Sequence, residues 1–208
     1  MLMKFSSVKM LLPVALLGTA CQSKPPEAKK PEAPVRVVNQ PPSDESQLRR
    51  IADTTLEVLH DKDYVRLSQL VHPVEGLIFS PYGYVNTVKT VRMKPEEVRI
   101  RFTADTARRV LWGFFDGTGD SILLTPKAYA QRFIYDRDFA QSDSLYFGQI
   151  PQRGNTLNNL EYAFPDGVVV ESFIPGKMEM DWKALRMVFE KYNERYYLVA
   201  LVHDQWTI

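Results

Sequence analysis

The stretch LRMVFEKYNERYYLVALV, residues 185–202, decides the fold of this chain. Two runs rich in aliphatic and aromatic residues, 185–192 and 196–202, flank the turn-forming residues Asn193, Glu194 and Arg195, and this pattern predicts a β-hairpin. Similar but shorter runs predict further strands at residues 77–79, 85–92, 109–115, 121–124, 144–147 and 168–173. Asp116 to Asp120, with glycines at 117 and 119, is predicted to be the turn between two of them.

Apolar residues with helical spacing stand mainly before these strands. A first helix is predicted to begin at Ser43 or Asp44, and a second spans residues 63–71, where Pro73 stops it. Thr125 followed by Pro126 predicts the start of a helix that runs to about residue 133. Residues 94–102 fit either a helix or a strand. The order predicts an α+β fold, with N-terminal helices packed on a curved, mostly antiparallel sheet.

The single cysteine of the chain, Cys21, directly follows an apolar segment that is preceded by Lys4 and Lys9. A charged start, a short apolar core and small residues at a cleavage point are typical of a secretory signal. The apolar run is too short for a transmembrane helix, which needs roughly 20 apolar residues. We therefore interpret residues 1–20 as a signal peptide and Cys21 as a lipidated mature N-terminus, the pattern of a bacterial lipoprotein. An ordinary cleaved signal with an incidental cysteine is the alternative.

Residues 21–44 are rich in proline, with lysine, glutamate, glutamine and serine between the prolines. Such a segment is expected to be a semi-extended, flexible linker, because it cannot bury enough surface to fold. Residues 45–208 follow as a single globular domain. The 26 Lys and Arg residues nearly balance the 25 Asp and Glu residues, so no basic field exists to attract nucleic acid and no nucleic-acid partner is expected.

Several segments resemble a group of uncharacterised bacterial lipoproteins. They are His72-Pro73 with residues 76–82, Trp112-Gly113 with residues 116–119 and 124–125, residues 181–182 and 185–186, and the closing segment 202–207. This resemblance covers residues 70–208 and implies a triacylated, palmitate-bearing Cys21. It also implies a protein anchored in the bacterial cell envelope that faces the periplasm or the exterior, and it implies no particular activity.

The order of helices and strands is also similar to that of cone-shaped domains of the nuclear transport factor two-like or cystatin-like kind. In the former, helices close over a curved sheet and form a pocket, so the resemblance implies a pocket in this chain. A resemblance in fold does not by itself imply a function.

Four residues are predicted to line such a pocket: His72, Tyr82, Trp112 and His203. Each combines an apolar body with a polar tip and lies in one of the resembling segments. A histidine beside a carboxylate could act as a general base. Asp204 follows His203 directly, however, and neighbouring side chains of a strand point to opposite faces, so Asp204 is a poor partner for His203. The alternatives are buried or capping histidines and ordinary core aromatic residues.

No complete catalytic set stands out in the sequence. Ser80 lacks a nucleophile elbow, and the glycines at 117 and 119 lack the lysine and helix of a phosphate loop. We therefore predict no catalytic residue, no cofactor and no metal site. The favoured function is a non-catalytic binding or accessory module with a small-molecule or envelope-protein partner. A small pocket enzyme of hydrolase or isomerase type, with His72 or His203 as acid/base, is the alternative, and a structural or assembly role is a third reading.

Overall fold

The computed structural model describes residues 44–105, 107–142, 144–148, 150–154, 157–178 and 180–207. Cys21, the predicted signal peptide and all but the last residue of the predicted linker lie outside these residues. The helices are α1 (Asp44–His60), α2 (Tyr64–Leu70), α3 (Pro95–Thr103), α4 (Pro126–Phe133) and α5 (Leu160–Ala163), with a short 3-10 helix at Phe139–Gln141. The strands are β1 (Leu77–Ser80), β2 (Val91–Met93), β3 (Val110–Phe114), β4 (Ser121–Leu124), β5 (Leu145–Phe147), β6 (Val168–Ile174), β7 (Lys183–Tyr192) and β8 (Arg195–Gln205).

Six strands form the main sheet in the order β2-β1-β8-β7-β6-β5, and β3 and β4 form a separate two-stranded sheet. Every neighbouring pair is antiparallel except β1 and β8, which are parallel. An irregularity between Val188 and Phe189 leaves Val199 without an opposite residue, and an extra residue of this kind bends a strand. The predicted α+β fold, with helices on a curved and mostly antiparallel sheet, is confirmed.

The hairpin of residues 185–202 forms as predicted and extends further. Tyr192 pairs with Arg195, so Asn193 and Glu194 form a two-residue turn, and both have positive φ angles of 46° and 63°. Positive φ at both positions is typical of the turn type whose twist matches a hairpin. The second strand continues to Gln205, which places His203 and Asp204 inside the sheet and not beyond it.

The two faces of the main sheet carry separate apolar cores. The larger core lies under α1, α2, α3 and α4, and its central members include Leu56, Leu67, Phe79, Phe102, Trp112, Tyr129, Met187 and Leu201. The smaller core lies on the other face with α5, and it contains Ile78, Val85, Leu160, Phe164, Val188 and Val202. The sheet is thus buried on both sides, which explains why its central strands are almost continuously apolar.

The prediction of a strand over residues 85–92 is wrong for most of its length, because only Val91–Met93 pairs. The side-chain oxygen of Asn86 accepts the backbone N–H of Val88 and of Lys89, and its carbonyl accepts the N–H of Lys89 and Thr90. Asparagine offers the chain such a local turn in place of a strand ladder. The ambiguous residues 94–102 are helical in α3, where the Glu97 carboxylate accepts the backbone N–H of Lys94 at 3.0 Å.

Among the described residues, no helix combines the length and apolar character needed to cross a membrane.

Candidate functional site

A cavity of about 310 Å³ lies between the end of β1, the turn that follows it and strand β3. Its walls are mostly apolar or aromatic and come from Pro81, Tyr82, Tyr84, Leu111, Trp112 and Phe114. Asn86, Lys89 and Thr90 supply polar groups from the turn after β1. We call this space the aromatic cavity. Concave, mainly apolar spaces with a few polar groups are the usual form of small-ligand sites.

The buried wall of the aromatic cavity is held rigidly by Trp112. Its indole stacks on the ring of Tyr129, with centroids 3.9 Å apart and an interplanar angle of 11°. The indole N–H donates to the carbonyl of Leu124 at 2.9 Å, which fixes the rotation of the ring. Because stacking and the hydrogen bond act together, the indole of Trp112 is held in one orientation beside the cavity, and only 2% of the residue is exposed.

Tyr82 forms the neighbouring wall. Its ring packs edge-on against Phe133 with centroids 6.0 Å apart, and its hydroxyl oxygen accepts the backbone N–H of Asp116 at 3.2 Å. Burial raises the pKa of the Tyr82 hydroxyl above its ordinary value, so this group is neutral at physiological pH. The Ser80 hydroxyl donates to the carbonyl of Tyr82 at 2.8 Å and thereby fixes the turn.

An exposed apolar rim surrounds the aromatic cavity. Tyr84 and Phe114 are each 57% exposed, and Leu111 is 50% exposed. Leu123 is the cross-strand partner of Leu111 and is 46% exposed, but it does not line the cavity. A ligand seated in the cavity would therefore cover apolar surface that otherwise faces water.

His203 lies behind Pro81, on the larger-core face of the sheet. Its ring is completely buried and meets Phe133 edge-on at 5.8 Å. Nδ1 lies 3.3 Å from the carbonyl oxygen of Pro81, and Nε2 lies 3.2 Å from the Asp136 carboxylate. The residue therefore supports the cavity from outside it. Its carboxylate partner is 67 positions away in the chain, which no local sequence pattern could reveal.

His72 lies elsewhere, after α2, and does not line the aromatic cavity. Its Nδ1 accepts the backbone N–H of Val74 at 3.2 Å and of Glu75 at 2.9 Å, so this nitrogen carries no proton. Burial lowers the pKa of the ring below its ordinary value. The structure thus brings Tyr82 and Trp112 together in one cavity, places His203 behind it, and leaves His72 in a turn.

A second cavity, of about 430 Å³, lies beside the end of α4 and the start of β7. Arg132, Asp136, Arg137, Lys183 and Gln205 are among its lining residues, so we call it the basic cavity. Burial raises the pKa of Asp136, but the hydrogen bond and charge of His203 and the charge of Lys183 outweigh that effect. The pKa of Asp136 consequently lies below its ordinary value, and the side chain is ionised at neutral pH.

A buried charge network lies on the opposite, smaller-core face of the sheet. Arg186 donates through Nε to Glu171 at 2.8 Å and pairs through Nη2 with Asp204 at 2.7 Å. Arg153 donates through Nε and Nη2 to the other oxygen of Glu171, at 3.0 and 2.8 Å. Sequence reasoning missed this network. Charged residues inside the apolar strands at 168–174 and 183–192 were the available signal, since buried charges are rare without partners.

The asparagine and tyrosine side chains that line the aromatic cavity can form hydrogen bonds with a ligand. Among the residues that the structure describes, no group of three His, Cys, Asp or Glu side chains could hold a metal ion.

Strands β3 and β4, with the turn between them, form the predicted hairpin.

No protein-family model matches the chain, and no curated protein matches it. Among solved structures, the chain is similar to a protein named Rd1NTF2_05, in a form with five substitutions. The two share 14% identity over 76% of this chain and 97% of that chain, with a TM-score of 0.35. A superposition this loose adds no argument, and the α+β architecture rests on the strand order and helix packing given above.

Proposed function

We propose that this chain is a lipid-anchored, non-catalytic binding module of the bacterial cell envelope and that the aromatic cavity is its ligand site. The observation that carries the binding role is the preformed cavity between Tyr82 and Trp112, with an exposed apolar rim. The anchoring role rests on Cys21 at the end of a signal-like segment and on the proline-rich residues that follow it. The linker would give the domain reach from the membrane surface.

The size and walls of the aromatic cavity indicate the class of ligand. An apolar cavity of about 150 Å³ holds one benzene ring. At about 310 Å³, the aromatic cavity has room for a group of roughly two fused rings or an equivalent branched alkyl body. The Lys89 ammonium and the Asn86 amide on its exposed side suit a polar or anionic substituent. We therefore propose a small amphiphile with an aromatic or aliphatic body as the ligand.

Binding is better supported than catalysis. Among the described residues that line the aromatic cavity, the ionisable groups are Lys89 and the two tyrosines, and none of these lining residues is a carboxylate. The alternative of a small pocket enzyme draws on the 3.2 Å contact between His203 and Asp136. The ring of His203 is completely buried, however, and a general base must reach the proton that it removes.

The binding proposal is tested by calorimetric titration of the purified full-length chain, in detergent, with 2-naphthoate and with the neutral 2-naphthol. We expect saturable one-site binding of both probes. Leu111→Glu should weaken binding at least tenfold, because it places a charge at the rim of an apolar site. Leu123→Glu is the matched control, since Leu123 is equally exposed on the same hairpin but does not line the cavity.

Equal weakening by both substitutions would point to a general effect on the hairpin and would contradict the assignment of the site. If neither 2-naphthoate nor 2-naphthol binds saturably, the amphiphile proposal is refuted. A weaker effect of Lys89→Gln on 2-naphthol than on 2-naphthoate would assign the anionic substituent to Lys89.

The anchor is tested separately by metabolic labelling with palmitate and by fractionation of cells. Cys21→Ser should abolish the label and leave the chain unprocessed or in the soluble fraction, whereas Gln22→Ala should retain both label and membrane location. Unchanged labelling and fractionation of Cys21→Ser would refute lipidation at this residue. The outcome is independent of ligand binding in the aromatic cavity.

A further inference from the structure

We propose that the basic cavity binds an oxyanion, a phosphate or carboxylate group of a small molecule. This site is distinct from the aromatic cavity, with which it shares no lining residue. Arg132 and Arg137 approach it from α4 and the turn that follows, and Lys183 approaches it from the start of β7. Three cationic side chains thus face one space, and Asp136 is the single carboxylate among its described lining residues.

The Asp136 carboxylate is already neutralised by partners that are more buried than the two arginines. Its Oδ1 accepts the hydrogen bond of His203 at 3.2 Å, and its Oδ2 lies 3.3 Å from the Lys183 ammonium. The Lys183 side chain is only 18% exposed, and that of Asp136 is 14% exposed. Because both carboxylate oxygens of Asp136 contact Lys183 and His203, Asp136 does not neutralise the guanidinium groups of the cavity.

Aromatic rings and a backbone carbonyl hold Arg132 and Arg137 in place. The Arg132 guanidinium lies over the rings of Phe115 and Phe133, 5.4 and 5.5 Å from their centroids. Arg137 donates through Nη1 to the backbone carbonyl of Asp136 at 3.0 Å. Neither guanidinium lies within 4.0 Å of a carboxylate in the described part of the chain. A guanidinium positioned by rings or by a carbonyl retains N–H groups that match the geometry of an oxyanion.

The experiment is calorimetric titration of the full-length chain in detergent with inorganic phosphate and, in a second arm, with citrate. We expect saturable binding of at least one probe to one site. The double variant Arg132→Gln/Arg137→Gln should weaken it at least tenfold, because both substitutions remove charge-assisted hydrogen bonds to the ligand. Both side chains are exposed, so the variant should fold. Tight phosphate binding would assign a phosphate group, and preference for citrate would assign a carboxylate.

Lys127→Gln is the control for a general loss of positive charge. Lys127 lies on the same helix, pairs with Asp105 at 2.8 Å and does not line the basic cavity. Lys127→Gln should leave the affinity for phosphate or citrate within twofold of that of the unmodified chain. Equal weakening by Lys127→Gln and by the double variant would show binding to a diffuse charge field and would overturn the site. Failure of both probes to bind saturably would also overturn it. Far-ultraviolet circular dichroism measures the folding of each variant, and binding of the neutral 2-naphthol tests the proposal for the aromatic cavity separately.

Discussion

Replacement of Arg186 by methionine tests whether the buried charge network stabilises the fold. Arg186 is 1% exposed and contacts Glu171 at 2.8 Å and Asp204 at 2.7 Å, and both carboxylates are as deeply buried as the guanidinium. Methionine has a similar length and no charge. The substitution therefore removes the compensating charge from two ionised groups with little change in packing volume.

The expected cost follows from what each carboxylate retains. Glu171 keeps the two hydrogen bonds from Arg153, whereas Asp204 keeps the backbone N–H of Gln205 at 3.0 Å but loses its guanidinium. Removal of one member of a buried ion pair costs about 3–5 kcal/mol. Among the described residues, Nη1 of Arg186 has no hydrogen-bond partner, and its removal offsets part of that cost. We expect a loss near the lower end, about 3 kcal/mol in the free energy of unfolding.

Urea denaturation monitored by far-ultraviolet circular dichroism measures this loss. Arg153→Met is the matched comparison, because Arg153 is 16% exposed and its removal leaves Glu171 bonded to Arg186. Arg153→Met should lower the free energy of unfolding less, by about 1.5–3 kcal/mol, because this is the usual contribution of a hydrogen bond to a charged group. The reasoning is refuted if Arg186→Met is as stable as the unmodified chain or more stable than Arg153→Met.

Three further substitutions test other parts of the structure. Gly83→Ala should destabilise the chain by about 1–3 kcal/mol in urea denaturation, because the added Cβ atom would lie 2.9 Å from Nη1 of the buried Arg186. An unchanged unfolding midpoint would contradict this close packing. Asp136→Asn should lower stability at pH 7, and this loss should shrink as the pH falls below the unfolded pKa of about 3.9. A carboxyl whose pKa is depressed by folding stabilises the chain above its unfolded pKa of about 3.9 and loses that contribution as the pH falls through the folded value. Stability curves of both forms against pH measure this, and parallel curves would refute it. His72→Leu should cost about 1–3 kcal/mol, because the backbone N–H groups of Val74 and Glu75 lose their acceptor, and His72→Asn should recover part of the loss.

Local signals predicted much of the fold because the decisive interactions are themselves local. Helix α4 has the predicted bounds, since Thr125 caps it by accepting the backbone N–H of Ala128 and Pro126 begins it. Residues 85–90 have a strand-like pattern, yet they form a turn, because Asn86 captures the amide groups that a strand would offer to its neighbour. Strand propensity depends on such competing contacts more than helix propensity does.

The candidate sites could be predicted only in part, for a geometric reason. Tyr82 and Trp112 were predicted as pocket residues and share one cavity, because both lie where strand β3 meets the turn after β1. The arginines of the basic cavity could not be paired with Lys183 from the sequence, because 46 or more residues separate them and only the folded sheet brings them together. Such contacts follow from strand order, which composition and spacing do not encode.

His203 and Asp204 show, in two neighbouring residues, a side-chain direction that the sequence predicts and long-range contacts that it does not. Strand alternation predicts that their side chains point to opposite faces, and the structure places His203 with Asp136 and Asp204 with Arg186. Each residue thus belongs to a different polar system, and the main sheet separates the two systems. If the separation is complete, Asp136→Asn and Arg186→Met should have additive effects on the free energy of unfolding, within about 0.5 kcal/mol. A coupling energy well above that in a double-mutant cycle would mean that strand β8 transmits strain between its faces.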